Sequence, residues 1–216
     1  MKQGAIFDMD GLMFDTEKVW QKCWDEVADE MHVTLEAGFR KEICGTSGRL
    51  MDSIIEKYYH VDNGNPIALD VRERVHQYLA EGAEEKPGLR KILQMFKDHG
   101  VKMAVASSSP REQIESNLQK AGVRDYIDAV VSGTELKKGK PAPDIFLKAA
   151  EELNIPAEDC YVFEDAINGV KAGHAAGAAT IMIPDMIQPT DEVRELAAGI
   201  YETLADASDA IEEGLL

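Results

Sequence analysis

The sequence predicts an α/β protein whose core is a Rossmann-like, doubly wound parallel sheet, with an all-α subdomain inserted into it. Short apolar, β-branched runs alternate with helical periodicity, which is typical of βα units around a sheet buried on both faces. A long stretch after the first apolar run carries only helical patterns. Acidic and small polar residues follow several of the runs, where the carboxyl ends of parallel strands bind ligands.

Five apolar runs predict the main strands of the sheet: Gly4–Phe7, Lys102–Ala106, Ala129–Val131, Cys160–Phe163 and Thr180–Ile183. Between the first two, the apolar spacing predicts four helices and no strand: Glu17–Met31, Leu35–Ile43, Arg49–Tyr59 and Ile67–Ala80. The Pro87-Gly88 pair ends this stretch. We therefore predict a core of residues 1–14 and 84–216 and a hinged helical cap of residues 15–83. Near the end, an edge strand around Ile200 and a terminal helix are expected.

Composition narrows the classes of partner. The 216 residues include 23 Lys and Arg against 40 Asp and Glu, a formal net charge of −17, so neither nucleic acid nor an anionic membrane surface is expected to bind. Cys23, Cys44 and Cys160 lie far apart without metal-binding spacing, which favours small buried thiols over disulfides or zinc. Without a signal-peptide pattern or a long apolar run, we expect a cytoplasmic protein, by default a monomer.

Two pairs of acids follow predicted strands. Asp8 and Asp10 point to the same side of an extended chain, and Gly11 allows a sharp turn after them. Glu164 and Asp165 follow the fourth main strand. Acids at strand ends also serve as turns and helix caps, but two such pairs on neighbouring strands would concentrate negative charge that requires a cation. Oxygen ligands without nearby His or Cys favour Mg²⁺.

Two further segments suit a phosphate group. The second main strand is followed by three serines and Pro110, which we interpret as a helix start with Ser109 as its cap. Ser107 and Ser108 are then available to bind an anion near the helix N-terminus. Lys140 precedes a proline-stiffened loop, and we expect it to reach over the sheet edge and offset the acidic site.

The order of these motifs resembles the haloacid dehalogenase superfamily over essentially the whole core. The helical insertion is similar to the small α-helical cap of the subgroup that holds β-phosphoglucomutase and sugar-phosphate phosphatases. The Asp after Met9 resembles the phosphotransfer branch and not the dehalogenases. The motifs that carry the resemblance are Asp8-x-Asp10-Gly11, Ser107, Lys140 within Gly-Lys-Pro-Ala-Pro-Asp, and Glu164-Asp165.

The resemblance implies a role for each motif. Asp8 would be the nucleophile that forms an aspartyl phosphate, and Asp10 the general acid and base. Mg²⁺ would bind the Asp8 carboxylate, the Asp10 backbone carbonyl and Asp165, with Glu164 in or next to its coordination sphere. The phosphoryl oxygens would be held by Ser107, the Ser108 N–H and Lys140.

Residues of the cap separate two related activities. Glu17 follows a Thr as in the hydrolases, whereas Trp20 stands where the sugar mutases typically have a histidine, and both features favour a phosphatase. Thr46 and Arg49 instead resemble the cap loop of mutases, whose Arg binds a distal phosphate; a surface Arg near a helix start is the plain alternative. A Mg²⁺-dependent phosphatase of a small phosphorylated metabolite is thus the leading hypothesis, and a β-phosphoglucomutase-like enzyme the alternative.

A signalling receiver also combines an acceptor Asp, a Ser or Thr, a Lys and Mg²⁺ on a parallel sheet. Receivers are shorter, accept phosphate after a central strand and lack both an acid two residues later and a helical insertion. A non-catalytic interaction protein would leave the acids unexplained. Both are therefore weaker hypotheses than an enzyme.

Overall fold

A computed structural model describes residues 1–43, 46 and 48–216 of the chain. Its described residues form one parallel sheet of six strands in the order β3-β2-β1-β4-β5-β6. The chain order reverses beside β1, because β4 pairs with β1 on the side opposite to β2. The strands are β1 (Gly4–Phe7), β2 (Lys102–Ser107), β3 (Ala129–Ser132), β4 (Cys160–Glu164), β5 (Ala179–Met182) and β6 (Gly199–Ile200). The predicted fold class is confirmed.

Ten α-helices lie in the described residues, four of them in the helical insertion that follows β1. These four are α1 (Thr16–Glu30), α2 (Gly38–Ile43), α3 (Gly48–Tyr59) and α4 (Asn65–Tyr78). The others are α5 (Leu89–Asp98), α6 (Arg111–Lys120), α7 (Asp144–Leu153), α8 (Ile167–Ala175), α9 (Asp191–Leu196) and α10 (Leu204–Glu212). Short 3-10 turns occupy Leu79–Glu81, Arg124–Tyr126, Gly133–Glu135 and Ala157–Asp159.

The sheet is buried on both faces, which explains why its strands read as continuous apolar runs. All four residues of β1 are buried. Phe7 stacks on Phe163 of β4 with ring centroids 4.8 Å apart and belongs to the core cluster on one face. Ile6, its neighbour in sequence, packs with Val162 in the cluster on the other face. The alternation of side chains along a strand thus divides the core into two layers.

The chain separates into two compact units, Met1–Asp15 with Ala83–Leu216, and Thr16–Gly82. In the first, the loop after β1 is paired with the segment that leads into α5: the Asp15 N–H donates to the Glu84 carbonyl at 2.8 Å, and the Lys86 N–H donates to the Met13 carbonyl at 2.9 Å. In the described residues of the second unit all regular elements are helices, and Trp24 and Phe39 pack edge to face in its interior with centroids 5.6 Å apart.

Two local expectations need correction. The second predicted helix begins at Gly38 rather than Leu35, because Leu35 to Ala37 form an exposed or partly exposed non-helical segment. Ser109 does not cap α6: the cap position is Pro110, and no side chain bonds the first turn. The Ser109 hydroxyl is bound elsewhere, as described below.

The cysteines in the described residues agree with the expectation of buried thiols. Cys23 and Cys160 are free and buried, and burial raises the pKa of each thiol to about 11. Cys44, like Gly45 and Ser47 of the predicted cap loop, lies outside the described residues. None of the described helices is both long and apolar enough to cross a membrane.

Candidate active site

The ends of β1 and β4 bring two carboxylates to one lysine. Asp8 directly follows β1, and Glu164 is the last residue of β4, which pairs with β1 in parallel. The Lys140 Nζ donates to Asp8 Oδ1 at 2.5 Å and to Glu164 Oε1 at 2.6 Å. The lysine side chain is only 10% exposed, and its ammonium also lies 5.0 Å from the centroid of the Phe146 ring. The expectation that Lys140 lies at the acidic site agrees with these contacts.

Burial governs the charges in this cluster. It raises the pKa of Asp8 to about 7; the Lys140 ammonium opposes this shift, whereas the Glu164 and Asp10 carboxylates add to it. Burial acts in the opposite direction on Lys140, but the attraction of Asp8 and Glu164 outweighs it and raises the pKa of the ammonium. Lys140 therefore stays protonated and compensates part of the buried negative charge.

A group of carboxylates at this edge fits a hard cation. Asp8, Glu164 and Asp165 each offer an oxygen, and these oxygens lie within 4.8 Å of one another. Oxygens on opposite sides of an octahedral Mg²⁺ are roughly 4 Å apart, so a small adjustment would let the three converge on one ion. The purely oxygen donor set suits magnesium better than zinc or copper.

The Asp10 carboxylate accepts hydrogen bonds from two serine hydroxyls. Ser107 Oγ donates to Asp10 Oδ2 at 3.0 Å, and Ser109 Oγ donates to the same oxygen at 2.8 Å. The Ser109 N–H in turn donates to Ser107 Oγ at 3.0 Å. Ser107 is fully buried at the end of β2. The loop after β2 therefore fixes the orientation of Asp10, which the sequence did not reveal because Ser109 also fitted a helix cap.

Two glycines make room for the acids. Gly11 has a φ of +84°, and a Cβ there would lie 2.4 Å from Asp165 Oδ2. Gly169, in the first turn of α8, has no such backbone requirement, but a Cβ there would lie 1.7 Å from Glu164 Oε1. The Glu164 carboxylate, 1% exposed, thus lies directly against the α8 backbone. A glycine at the start of a helix after an acidic strand end was the available signal for Gly169.

The other candidate residues have less defined surroundings. Ser108 is exposed between Ser107 and Ser109 at the end of β2. In the helical unit, Glu17 lies in the first turn of α1, and Arg49 is exposed at the start of α3. The Thr46 hydroxyl donates to the Ile43 carbonyl at 2.7 Å.

A parallel α/β sheet with acids, a lysine and a buried serine at its carboxyl edge defines a class of proteins suited to phosphoryl transfer. The family model described as haloacid dehalogenase-like hydrolase matches residues 5–183. The chain belongs to this family.

Several relatives of this chain are named as phosphatases. A phosphorylated carbohydrates phosphatase of Thermotoga maritima is 31% identical over 83% of this chain and 83% of its own length. Hexitol phosphatase B of Escherichia coli K12 is 32% identical over 83% of this chain and 82% of its own. A fructose-1-phosphate phosphatase of the same bacterium is 34% identical over 81% of this chain and 92% of its own. The expected enzyme class, a phosphatase hydrolase, is confirmed.

Solved structures have the same fold. A hydrolase of this family from Deinococcus radiodurans, with bound phosphate and sodium, superposes with a TM-score of 0.82 at 24% identity and covers 100% of this chain and 97% of its own. A β-phosphoglucomutase from Clostridium difficile gives a TM-score of 0.79 at 22% identity, covering 99% of this chain and 96% of its own. At this identity the likeness concerns the fold alone.

Proposed function

We propose that the protein is a magnesium-dependent phosphatase of a small phosphorylated sugar or polyol and that Asp8 forms an aspartyl phosphate. The observation that carries this proposal is the contact of Lys140 with both Asp8 and Glu164 at the sheet edge, where a third carboxylate, Asp165, is also present. The relatives named for phosphorylated carbohydrates, hexitol phosphates and fructose 1-phosphate support the substrate class.

The reaction would have two steps. In the first, an Asp8 carboxylate oxygen attacks phosphorus, the bond to the ester oxygen breaks, and Asp10 gives that oxygen its proton, so that the sugar leaves as an alcohol. In the second, Asp10 removes a proton from water as the water oxygen attacks phosphorus. The bond between phosphorus and Asp8 then breaks, and inorganic phosphate leaves with the carboxylate restored.

The surrounding groups would orient the phosphoryl group. Lys140, Ser107 and the Ser108 N–H would hold its oxygens in line with attack. Asp8, Asp165 and the Asp10 carbonyl would hold Mg²⁺, with Glu164 in or next to its coordination sphere. When bound, the ion would offset the negative charge that accumulates on the phosphoryl oxygens. Ser107 and Ser109 would keep the Asp10 carboxyl in one orientation for both proton transfers.

We also propose that the helical unit is a cap that selects the substrate, with Glu17, Thr46 and Arg49 as contact residues. Trp20 supports hydrolysis over a mutase reaction, because an indole acts neither as an acid nor as a base near neutral pH and cannot replace the histidine of the mutases. Its ring stacks on Trp24 with centroids 6.3 Å apart. We expect a monomer, which sedimentation analysis of the purified protein would check. We also expect the protein to be cytoplasmic.

A substrate panel tests the proposal. The purified protein is given hexose phosphates, hexitol phosphates and nucleoside monophosphates, each with Mg²⁺ and with EDTA, and phosphate release is measured. We expect the highest kcat/KM for a sugar or hexitol phosphate and loss of activity in EDTA. Equal activity in EDTA would contradict the magnesium requirement. If β-glucose 1-phosphate gave glucose 6-phosphate by phosphorus NMR, with no net phosphate release, the mutase alternative would replace the phosphatase.

A further inference from the structure

The loop after β5 holds an aspartate that the proposed reaction does not use. Asp185 follows Pro184 in this loop, and its side chain is 13% exposed. Its Oδ1 accepts a hydrogen bond from Lys86 Nζ at 2.7 Å, and the Lys86 side chain is 16% exposed. Lys86 itself is fixed by its backbone bond to Met13 in the loop after β1. The pair is therefore mostly buried and held in a defined place.

The second oxygen of this carboxylate is in an unusual situation. Asp185 Oδ2 is buried and has no hydrogen-bond partner in the part of the chain that the structure describes. A buried carboxylate oxygen without a partner is unfavourable, because it has lost its hydration and gained no hydrogen bond in return. Because Lys86 nevertheless holds the carboxylate in place, we infer that Asp185 Oδ2 accepts a hydrogen bond from a group that is not part of the protein.

The position of Asp185 Oδ2 indicates which group it serves. The point where a Cβ on Gly11 would lie is 2.4 Å from Asp165 Oδ2 and 3.5 Å from Asp185 Oδ2, so the two oxygens are separated by less than about 6 Å. Asp185 is not among the three carboxylates whose oxygens lie within 4.8 Å of one another. Asp185 is thus outside the group that would ligate the ion directly, but an oxygen within about 6 Å of Asp165 Oδ2 is close enough to accept a hydrogen bond from a water on an ion held by Asp165.

We propose that Asp185 is a positioning residue of the cation site: its Oδ2 accepts a hydrogen bond from a water bound to the cation. This inference rests on the proposed magnesium site. Mg²⁺ keeps several of its waters in proteins, and carboxylates outside the coordination sphere orient the groups within it. Lys86 compensates the charge of Asp185 and fixes its direction through Oδ1. No step of the phosphoryl transfer passes through either residue.

Direct measurement of cation binding tests the inference without a substrate. Mn²⁺ is titrated into the protein, and free Mn²⁺ is counted by electron paramagnetic resonance; Mg²⁺ affinity follows from competition. Asp185→Asn keeps an oxygen that can accept from Lys86 but loses the charge. We expect Mn²⁺ to bind this variant about 10-fold more weakly than wild type. Asp209→Asn removes an acid from an exposed pair with Lys91 and should bind within about 2-fold of wild type.

A double variant separates the loss of a water acceptor from simple charge repulsion. In Asp185→Asn alone, the Lys86 charge is left uncompensated and would itself repel a cation. Lys86→Met combined with Asp185→Leu removes both charges and leaves no hydrogen-bond acceptor on the side chain of residue 185. We expect this double variant to bind Mn²⁺ as weakly as the single variant. Recovery of wild-type affinity in the double variant would overturn the inference.

Thermal unfolding provides a second readout that a purely structural role would not give. In EDTA, loss of the pair with Lys86 should itself lower the Tm of Asp185→Asn, and the inference expects in addition that the rise in Tm caused by Mg²⁺ is smaller than in wild type. A Tm lowered equally with and without Mg²⁺ would contradict the inference. If wild type binds Mn²⁺ but Asp185→Asn binds it equally well, only this inference fails; if wild type binds none, the proposed magnesium requirement fails as well.

Discussion

The two compact units of this chain place their charges in opposite ways. In the sheet-containing unit, Lys140 donates to both Asp8 and Glu164, and all three side chains are mostly buried. In the helical unit, charges lie at the surface: Arg74 pairs with Glu30 at 2.7 Å and with Asp70 at 3.1 Å, and both acids are exposed. Exposed pairs contribute about 0 to 1 kcal/mol each, whereas breaking a buried cluster of charges is strongly unfavourable.

The interior of the helical unit is aromatic instead. Trp24 contacts Phe39 and Tyr59, and the Tyr59 hydroxyl donates to the Trp24 carbonyl at 2.7 Å. The two units therefore differ in their most important interactions, which are buried charged contacts in the first and aromatic packing in the second. Polar changes should alter activity in the first unit, and apolar truncations should alter stability in the second. Four variants test this contrast.

The largest effect is expected for Asp8→Asn. The amide keeps the shape of the side chain but is not a nucleophile, so kcat should fall by at least about 10³-fold. Phosphate release from the best substrate of the panel measures this. Asp98→Asn, at an exposed position in α5, should keep wild-type activity. An active Asp8→Asn enzyme would remove Asp8 from the mechanism.

Trp24→Ala should mainly affect stability. Removal of this side chain, 2% exposed, from the aromatic interior is expected to lower the free energy of unfolding of the helical unit by about 3 to 5 kcal/mol. Urea denaturation followed by far-ultraviolet circular dichroism measures the change. Trp20→Ala, at a partly exposed position one helical turn away, should have a clearly smaller effect. Equal effects of the two variants would contradict the assigned interior.

Gly169→Ala addresses the close contact beneath Glu164. The added methyl group would overlap the carboxylate, so either Glu164 or α8 must move, which we expect to lower stability by about 1 to 3 kcal/mol and to weaken Mg²⁺ binding. Thermal unfolding with and without Mg²⁺ measures both. Gly139→Ala, where no atom lies within 4 Å of the added Cβ, is the matched control and should behave as wild type.

The smallest effect is expected for Ser109→Ala. It removes one of the two hydroxyls bonded to Asp10 Oδ2, and we expect kcat to fall about 10-fold with little change in KM, because the proton-transferring group is less well oriented. Ser109→Thr keeps the hydroxyl and should restore most of kcat. Unchanged kinetics in Ser109→Ala would show that Ser107 alone is sufficient to hold Asp10.

Much of the core architecture could be predicted because the main strands are short apolar runs and several of them end at polar residues. Phe7 followed by Asp8, and Phe163 followed by Glu164, mark the boundary between the buried sheet and its edge. The periodicity of the insertion likewise predicted four helices. The start of α2 was misplaced by three residues, since Leu35 fits a helical pattern although the helix begins at Gly38.

Side chains with two plausible local uses could not be assigned in this way. Ser109 fits a helix cap in the sequence, but in the structure its hydroxyl bonds Asp10, a residue far away in the chain. Nothing near Asp185 in the sequence indicates that Lys86 would pair with it. Such contacts depend on which loops meet, and this information is spread over the whole chain.

The sequence by itself determined where the polar groups follow strands, because burial on both faces demands apolar strands and leaves the polar residues to the ends. Only the tertiary structure decided which ends are neighbours. β4 pairs with β1, and this pairing places Glu164 beside Asp8, while α8 approaches closely enough that Gly169 lies against the Glu164 carboxylate. Strand order follows from how all the helices pack on the sheet, a property that no single segment carries.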